Sequence, residues 1–539
     1  MMKCIIGKSK KTVINRCATI LFLTYFVIGM IYIWDYGVTI DEVPQRLHSL
    51  VTYKYVNKTL FNRDIQELAD LPELEEYEYP YYGVFIQMPM VIVEDIFGFS
   101  LSVRTVFQIR HLFTFILVFA GYICLYYSLR HMVGSISWIP LLTVGMQALY
   151  PRFYAFQFFD VKNMVFTALS MIVICMTVNL VDNYKDVWAA AFGFCSAVVT
   201  NCRIIGIIFP IILMGYYLLL DIAGCLLSDD KSKNAHNIPI GIEKWGGIHK
   251  YLIILGSFVL SWYVITPYAW RNPLAVFKDT FRVMSNFEAW NGTMVFMGSR
   301  ITCDERPWYY LFVWFAITIP IIYLILFMIG HVTTIQIALK TTGFISILEN
   351  CKWRFFSLVL FWVSVIGVII LRVRIYIGWH HMSYVLVPLC ITAGLSLYDI
   401  QNRIIKRVFS VMLVGTIALS ITWILRYHPF ESSFFNSVGK YYATEFDRDE
   451  WRTSAYQALN WISSHENGPV TVGGECCGYE SLKEEQKELI KLSNESPQYL
   501  IDGYRNVIGN DIYYEGYDEV YTISVDGYNV CSVFKKIEK

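Results

Sequence analysis

Apolar stretches long enough to cross a hydrocarbon core recur along almost the whole chain, and that recurrence constrains the fold more than any single motif. They lie near 18–34, 104–129, 136–150, 164–181, 187–201, 204–221, 251–268, 308–330, 355–371, 383–398 and 408–426. A bilayer core about 30 Å thick needs roughly 20 apolar residues per helical crossing, so the chain is expected to be an all-α polytopic transmembrane bundle of about 11 spans. The stretches near 136–150 and 187–201 are short, which leaves the count open by one or two. Composition agrees: 55% of the 539 residues are hydrophobic and the mean hydropathy is +0.44, too apolar for a string of soluble domains. The 44 basic and 44 acidic side chains cancel, so no global positive field invites nucleic acid.

Charge sets the orientation. Lys3, Lys8, Lys10, Lys11 and Arg16 precede the first apolar run from Ala18 to Trp34. No small-residue cleavage site follows it, which predicts a retained first span with a cytoplasmic N-terminus. The loops then assigned to the cytoplasm carry Arg130, Lys185, Lys231, Lys233, Lys244, Lys250, Lys340, Lys352, Arg354, Arg403, Lys406 and Arg407, as the positive-inside rule requires. An odd number of spans puts the C-terminus outside. The outer side receives 36–103, 150–163, 270–307, 372–382 and everything beyond Arg426.

Two of these outer stretches predict structure of their own. Tyr81 to Phe97, interrupted by Pro89, Glu94 and Asp95, reads as an external interfacial helix. After the last span the composition turns polar, and 427–539 reads as a small extracytoplasmic soluble α+β domain appended to a membrane module over 1–426 that includes the external loop 36–103. A helical pattern runs from Trp451 to Ile462. Strand-like runs follow at Pro469–Val472, Tyr499–Ile501, Val520–Ser524 and Tyr528–Phe534, with Asp526-Gly527 as a hairpin turn. The sequons at Asn57, Asn291 and Asn494 all fall in outer stretches. Of the 13 cysteines, most sit in apolar runs as small hydrophobes; one pair among Cys476, Cys477 and Cys531 is a candidate disulfide on an oxidising side.

Chemistry gathers at the outer face. Asp41 and Glu42 follow the first span by a few residues, where a charge so close to hydrocarbon is costly unless it is solvated or functional. Two readings fit: Asp41 caps a helix beginning near Pro44, or it is a general base whose pKa is raised at a desolvated boundary. Arg152, Lys162 and Arg203 fall at the same level, where they suit either a lipid phosphate or simple interfacial anchoring. His380 and His381, adjacent in Gly-Trp-His-His, make a poor metal pair and a better phosphate or sugar contact. Trp270 and Trp308 stand in an aromatic-dense stretch that suits sugar stacking or a membrane-entry belt.

The order of these motifs resembles a family. Asp41-Glu42, Pro80-Tyr81-Tyr82-Gly83, Pro151-Arg152-Phe153, Asp160-Val161-Lys162-Asn163, the Pro267 to Pro273 run, Arg306-Pro307-Trp308-Tyr309-Tyr310, Gly378-Trp379-His380-His381 and Tyr427-His428-Pro429-Phe430 are similar in order to those of the C-class membrane glycosyltransferases. The likeness is especially to the bacterial relatives of dolichyl-phosphate-mannose protein mannosyltransferases and of the lipid A aminoarabinose transferase, and Asp449-Glu450-Trp451 resembles an Asp-Tyr-Trp element of their tails. The resemblance implies a multi-pass protein of the bacterial cytoplasmic membrane with an outward-facing site. It implies Asp41 as base with Glu42 as its partner, Lys162, Arg203, Arg152 and His381 on the donor phosphate, and Tyr82, His380, Trp270 and Trp308 lining the substrates. Where the family carries Pro-Lys-Asp this chain has Val161-Lys162-Asn163, and where it carries Arg-His this chain has His380-His381. The implied reaction is transfer of a hexosyl or pentosyl group from a polyprenyl-phosphate sugar to a surface glycan, lipid or protein. A single displacement with Asp41 as base predicts inversion; no metal ligand set or cofactor is demanded, with a divalent cation left open. The rival reading is a transporter or flippase, which predicts polar groups at the membrane midplane rather than at one face.

Overall fold

The computed structural model describes residues 2–228, 247–285, 290 and 292–537; Lys231, Lys233, Lys244 and the sequon residue Asn291 lie outside them. The described chain is a helical bundle carrying a small mixed sheet near its C-terminus. Among the described residues, eight helices are long and apolar enough to cross a membrane: Lys10–Asp35, Val103–Val133, Asn163–Asp182, Ile204–Cys225, Ile321–Lys340, Phe344–Ile370, His380–Asp399 and Arg403–Tyr427. Ile139–Ala148, Asp186–Cys202 and His249–Ile265 are shorter apolar helices. The ten residues of Ile139–Ala148 rise only about 15 Å, and the chain turns at Tyr150 into a second helix, Pro151–Phe159, every residue of which is buried.

Asn163–Asp182 and His380–Asp399 are mostly buried, while the first and last spans lie at the periphery. An all-round apolar helix belongs inside, and every residue from Leu386 to Leu397 is buried. Close helix packing uses small residues: a Cβ on Gly193 would stand 1.9 Å from Ser257 Oγ on the neighbouring helix.

The expected span 308–330 is broken. Pro320 supplies no N–H and interrupts the ladder, so the chain forms Tyr310–Thr318 and then Ile321–Lys340. The carbonyls freed at the break are satisfied from far along the chain, since Asn436 Nδ2 donates to Ala316 O and Ile319 O, both at 2.7 Å.

The first loop meets expectation at its start and differs from it further on. Its leading helix is Glu42–Phe61, two residues ahead of Pro44. The helix expected over 81–97 is Met88–Ile96, and Glu94 does not interrupt it: that carboxylate is buried, accepting from Arg46 Nη2 at 2.6 Å and Arg110 Nη2 at 3.2 Å.

Among the described residues, seven strands form two sheets. β1 (Met294–Phe296) and β2 (Ser299–Ile301) make a small antiparallel hairpin. β3 (Val470–Gly474), β4 (Ile490–Leu492), β5 (Tyr499–Gly503), β6 (Tyr517–Val525) and β7 (Tyr528–Lys536) make a sheet in the order β4-β3-β5-β7-β6. β3 pairs parallel with β4 and β5, and β7 pairs antiparallel with β5 and β6. Asp526 and Gly527 both have positive φ, as a tight β6–β7 hairpin requires. The helix Thr453–His465 packs on this sheet. Cys476, Cys477 and Cys531 are free thiols rather than the bridge entertained from the sequence, and Cys531 is buried in β7.

The tail is docked on the bundle by side chains of opposite kinds. Glu450 accepts from Arg152 Nη1 at 3.2 Å, and both are buried. Trp451 packs against Phe156, Phe159 and His380 with ring centroids 5.1–5.6 Å apart. Gly378, with φ +81, leaves room for this contact, because a Cβ there would stand 2.5 Å from Glu450 Oε2.

Candidate active site

The spans deliver one set of ends to one face. Asp41 follows the C-terminal end of the first span, Lys162 precedes Asn163–Asp182, Arg203 follows Asp186–Cys202, and His380-His381 open the span ending at Asp399. The structure brings these positions together although they are scattered over more than 300 residues.

Asp41 occupies the N-cap position of Glu42–Phe61, but its side chain makes no capping hydrogen bond and is exposed. Its neighbour holds the turn instead. Glu42 is buried; its Oε2 accepts from Thr39 N at 2.8 Å and Thr39 Oγ1 at 3.0 Å, and its Oε1 lies 2.7 Å from His111 Nε2. The two carboxylates therefore differ: Glu42 fixes the backbone, and Asp41 is left exposed as an electrostatic neighbour of Lys162, Tyr82 and Tyr376.

Lys162 projects across the turn that starts the next span. Asp160 Oδ1 caps that turn, accepting from Asn163 N at 2.7 Å and Lys162 N at 3.3 Å. Lys162 Nζ lies 3.4 Å from the centroid of the Tyr82 ring, a cation–π contact, and His48 stacks on that ring at 4.5 Å. Burial pushes the Lys162 ammonium down to about 7, with Arg203 adding to the fall and Asp41 and Asp160 opposing it. Burial pushes the Asp160 carboxyl up to about 6, against the charges of His380 and Arg203. It also drives His48 down to about 3, with Lys162 contributing.

Arg203 Nη1 donates to His381 O at 2.8 Å, tying the cation to the Gly-Trp-His-His turn. Tyr376 closes that side, its ring 4.5 Å from His381 and stacked at 4.2 Å on Trp290. The Tyr376 phenol is raised by burial and next by the Asp41 charge. Among the described residues, the buried atoms Asp160 Oδ2, Arg203 Nε and His381 Nδ1 have no hydrogen-bond partner. Buried polar atoms are ordinarily bonded, and these three are left open to a further partner.

Gly83 explains the Pro-Tyr-Tyr-Gly motif. A Cβ there would meet Asn201 O at 1.8 Å. Asn201 Oδ1 accepts from Phe85 N at 3.2 Å, and its Nδ2 donates to Ile265 O at 3.2 Å and Thr266 Oγ1 at 3.0 Å. This one amide joins three segments around the site and seats Tyr82 beside Lys162.

The remaining sequence candidates divide. His380 is buried at the edge of the cluster, 3.5 Å from Glu450. Arg152 is buried and engaged with the tail, donating to Phe434 O at 2.8 Å and to Glu450. Trp270 donates to Tyr263 O and Val264 O and lies 6.1 Å from Tyr55. Trp308 is 69% exposed beside Tyr309 and Phe312. The contacts of neither tryptophan reach the Asp41 cluster. His48, His111 and Tyr376 are the members that motif reading passed over, and Asp160 stood in a quoted motif without a role of its own, although its Asp-x-x-Asn spacing with Asn163 is that of a helix cap. Among the described residues no group of three or more His, Cys, Asp or Glu is gathered as a metal site.

No family model and no curated protein matches the sequence. Among solved structures, the chain is similar to ArnT from Cupriavidus metallidurans bound to undecaprenyl phosphate, at 13% identity and a TM-score of 0.44, over 96% of this chain and 97% of that one. It is similar to ArnT from Cupriavidus metallidurans in the apo state at 13% identity and a TM-score of 0.43, over 89% and 87% of the two chains.

Proposed function

We propose that the chain is a membrane glycosyltransferase that moves a sugar from a polyprenyl-phosphate donor to an acceptor at the face carrying Asp41, on the side away from the cytoplasm. The observation that supports this most strongly is an exposed, uncapped carboxylate, Asp41, standing as an electrostatic neighbour of Lys162, with Arg203 beside the same ammonium, at the end of a membrane bundle. A base beside an anion-binding pair is what displacement at an anomeric carbon needs.

In this reading the donor phosphate lies against Lys162 and Arg203, with the lipid between spans. Asp41 takes the proton of an acceptor hydroxyl or amine. The acceptor atom forms a bond to the anomeric carbon as the bond from that carbon to the phosphate oxygen breaks, and the electron pair leaves with polyprenyl phosphate. Lys162 and Arg203 stabilise the charge that grows there, a task best done by preorganised groups. One displacement inverts the anomeric centre. The unpartnered Arg203 Nε is a further donor for the phosphate.

Purified protein supplied with radiolabelled polyprenyl-phosphate sugars and a crude envelope extract tests the reading. Release of free polyprenyl phosphate with label appearing in an acceptor supports it. Movement of intact donor across a vesicle without cleavage would favour the transporter reading instead.

A further inference from the structure

The motif Tyr427-His428-Pro429-Phe430 closes the last span, and its histidine is fastened to the chain that leads to Asp41. His428 Nδ1 lies 2.7 Å from Glu431 Oε1, and His428 Nε2 lies 3.0 Å from Asp35 Oδ2 at the end of the first span. The ring stacks on Tyr32 with centroids 4.2 Å apart and stands edge-on to Tyr36 at 5.3 Å. Glu431 is fully buried, and its other oxygen accepts from Tyr36 Oη at 2.7 Å.

The residues between Asp35 and Asp41 are seated on the tail. Gln457 Nε2 donates to Asp35 O at 3.1 Å, and Val38 N donates to Ser481 Oγ at 2.7 Å. Gly37 lies so close to the tail that a Cβ would meet Tyr456 Cβ at 2.5 Å. Thr39 N then donates to Glu42 Oε2 at 2.8 Å, which closes the turn carrying Asp41. His428 and Glu431 grip the start of this segment through Asp35 and Tyr36, and the tail grips the rest.

Only the charged form of histidine suits this position. A neutral imidazole has one N–H and one lone pair, so it satisfies one carboxylate and turns a lone pair towards the other. The imidazolium donates from both nitrogens, and its charge strengthens each bond. Around it stand Tyr32 and Tyr36 from the first span, and Tyr154 of Pro151–Phe159, an electrostatic neighbour of both carboxylates. Arg426 is exposed beside Tyr427, and Asp526 from the β6–β7 turn is taken up by Trp423 Nε1 at 3.0 Å and Tyr427 Oη at 3.3 Å. Burial pulls the His428 ring down, but Glu431 and then Asp35 outweigh it and hold the ring above its ordinary value. The cation is therefore present below the ordinary histidine range and is lost as pH rises through the raised value.

We propose, resting on the transferase reading, that His428 is a positioning residue for Asp41. As a cation it clamps Asp35 to Glu431 and holds the segment that delivers the base; deprotonation releases that segment.

Amide hydrogen exchange of the purified full-length protein tests this, read on the peptide covering Val38 and Thr39 and corrected for intrinsic rates. It is measured at about pH 6 and about pH 9, on either side of the histidine range. Wild-type protection is expected to fall about ten-fold between them, the worth of one charged hydrogen bond. His428→Gln should show the low protection at both. Wild-type protection that does not change, or an equal fall in His428→Gln, would overturn the proposal. If His428→Gln does not fold, Asp35→Asn, at an exposed side chain, decides: low protection at the acid value supports the clamp, and a wild-type response contradicts it. Turnover reads the consequence. His428→Gln should lower kcat about ten-fold at the acid value and lose the alkaline fall in kcat, with donor KM unchanged; a raised KM with kcat unchanged contradicts a positioning role. Failure of the transferase reading is a separate result, in which the wild type releases no polyprenyl phosphate while the protection of Val38 and Thr39 still follows pH.

Discussion

His111 Nε2 lies 2.7 Å from Glu42 Oε1, a buried contact between the second long span and the first residue of the helix that Asp41 precedes. With Thr39 N and Oγ1 on the other oxygen, Glu42 has three partners, and the turn that carries Asp41 is held by a residue that is itself buried. Misplacing a reacting group by about 1 Å costs about 10²-fold in rate. His111→Ala and Glu42→Gln are expected to lower kcat by about that factor while leaving KM for the donor near its wild-type value. Steady-state kinetics with varied donor would check the split; a rise in KM with kcat unchanged contradicts a positioning role.

Lys162 gives the site a pH dependence. Its pKa is lowered to about 7, so the cation is present below that value and is lost as pH rises through it. The kcat/KM for donor should therefore fall as pH rises through about 7. Lys162→Arg, which stays charged, should flatten that limb, and Lys162→Met should lose about 10²-fold, comparable to removing one preorganised donor. A pH profile of the three proteins measures this.

Gly83→Ala is expected to unseat the first loop. Its Cβ would fall 1.8 Å from Asn201 O, a backbone atom with no freedom to yield, and overpacking of this kind costs about 1–3 kcal/mol. Thermal unfolding in detergent should show a lowered Tm, and transfer should fall with it because Tyr82 and Lys162 lose their relative placement.

Arg152 and Glu450 are both buried, 3.2 Å apart. Removing one partner of such a pair strands the other charge and costs about 3–5 kcal/mol. Glu450→Gln should therefore loosen the tail, visible as faster limited proteolysis after residue 427, and the double variant Arg152→Met with Glu450→Gln should recover much of the loss. Equal sensitivity of the single and double variants would contradict the pairing.

Much of the bundle was legible because hydrocarbon imposes a length on every crossing, so apolar runs could be counted before any contact was known. Asp41 was legible for the complementary reason: a carboxylate at that boundary is conspicuous. The break at Pro320 escaped notice because its rescue comes from Asn436, more than 100 residues away. Tyr376 escaped for the same reason, since its ring meets His381 and Trp290 only in the fold. Trp270 and Trp308 show the opposite difficulty, for sugar stacking and membrane entry draw on the same aromatic residues. Glu450 sat in a motif noted for resemblance, and only the cavity left by Gly378 explains why an acid stands there.

The central claim, that Asp41 is the base of a sugar transfer, is tested most directly by single-turnover release of polyprenyl phosphate from a radiolabelled donor by wild-type and Asp41→Asn proteins in the presence of acceptor extract. The account predicts inverted product and stoichiometric lipid phosphate from the wild type. It predicts a loss of at least about 10²-fold for Asp41→Asn, within the range general-base catalysis contributes, with donor binding and Tm retained. Near-normal turnover by a folded Asp41→Asn protein would contradict it.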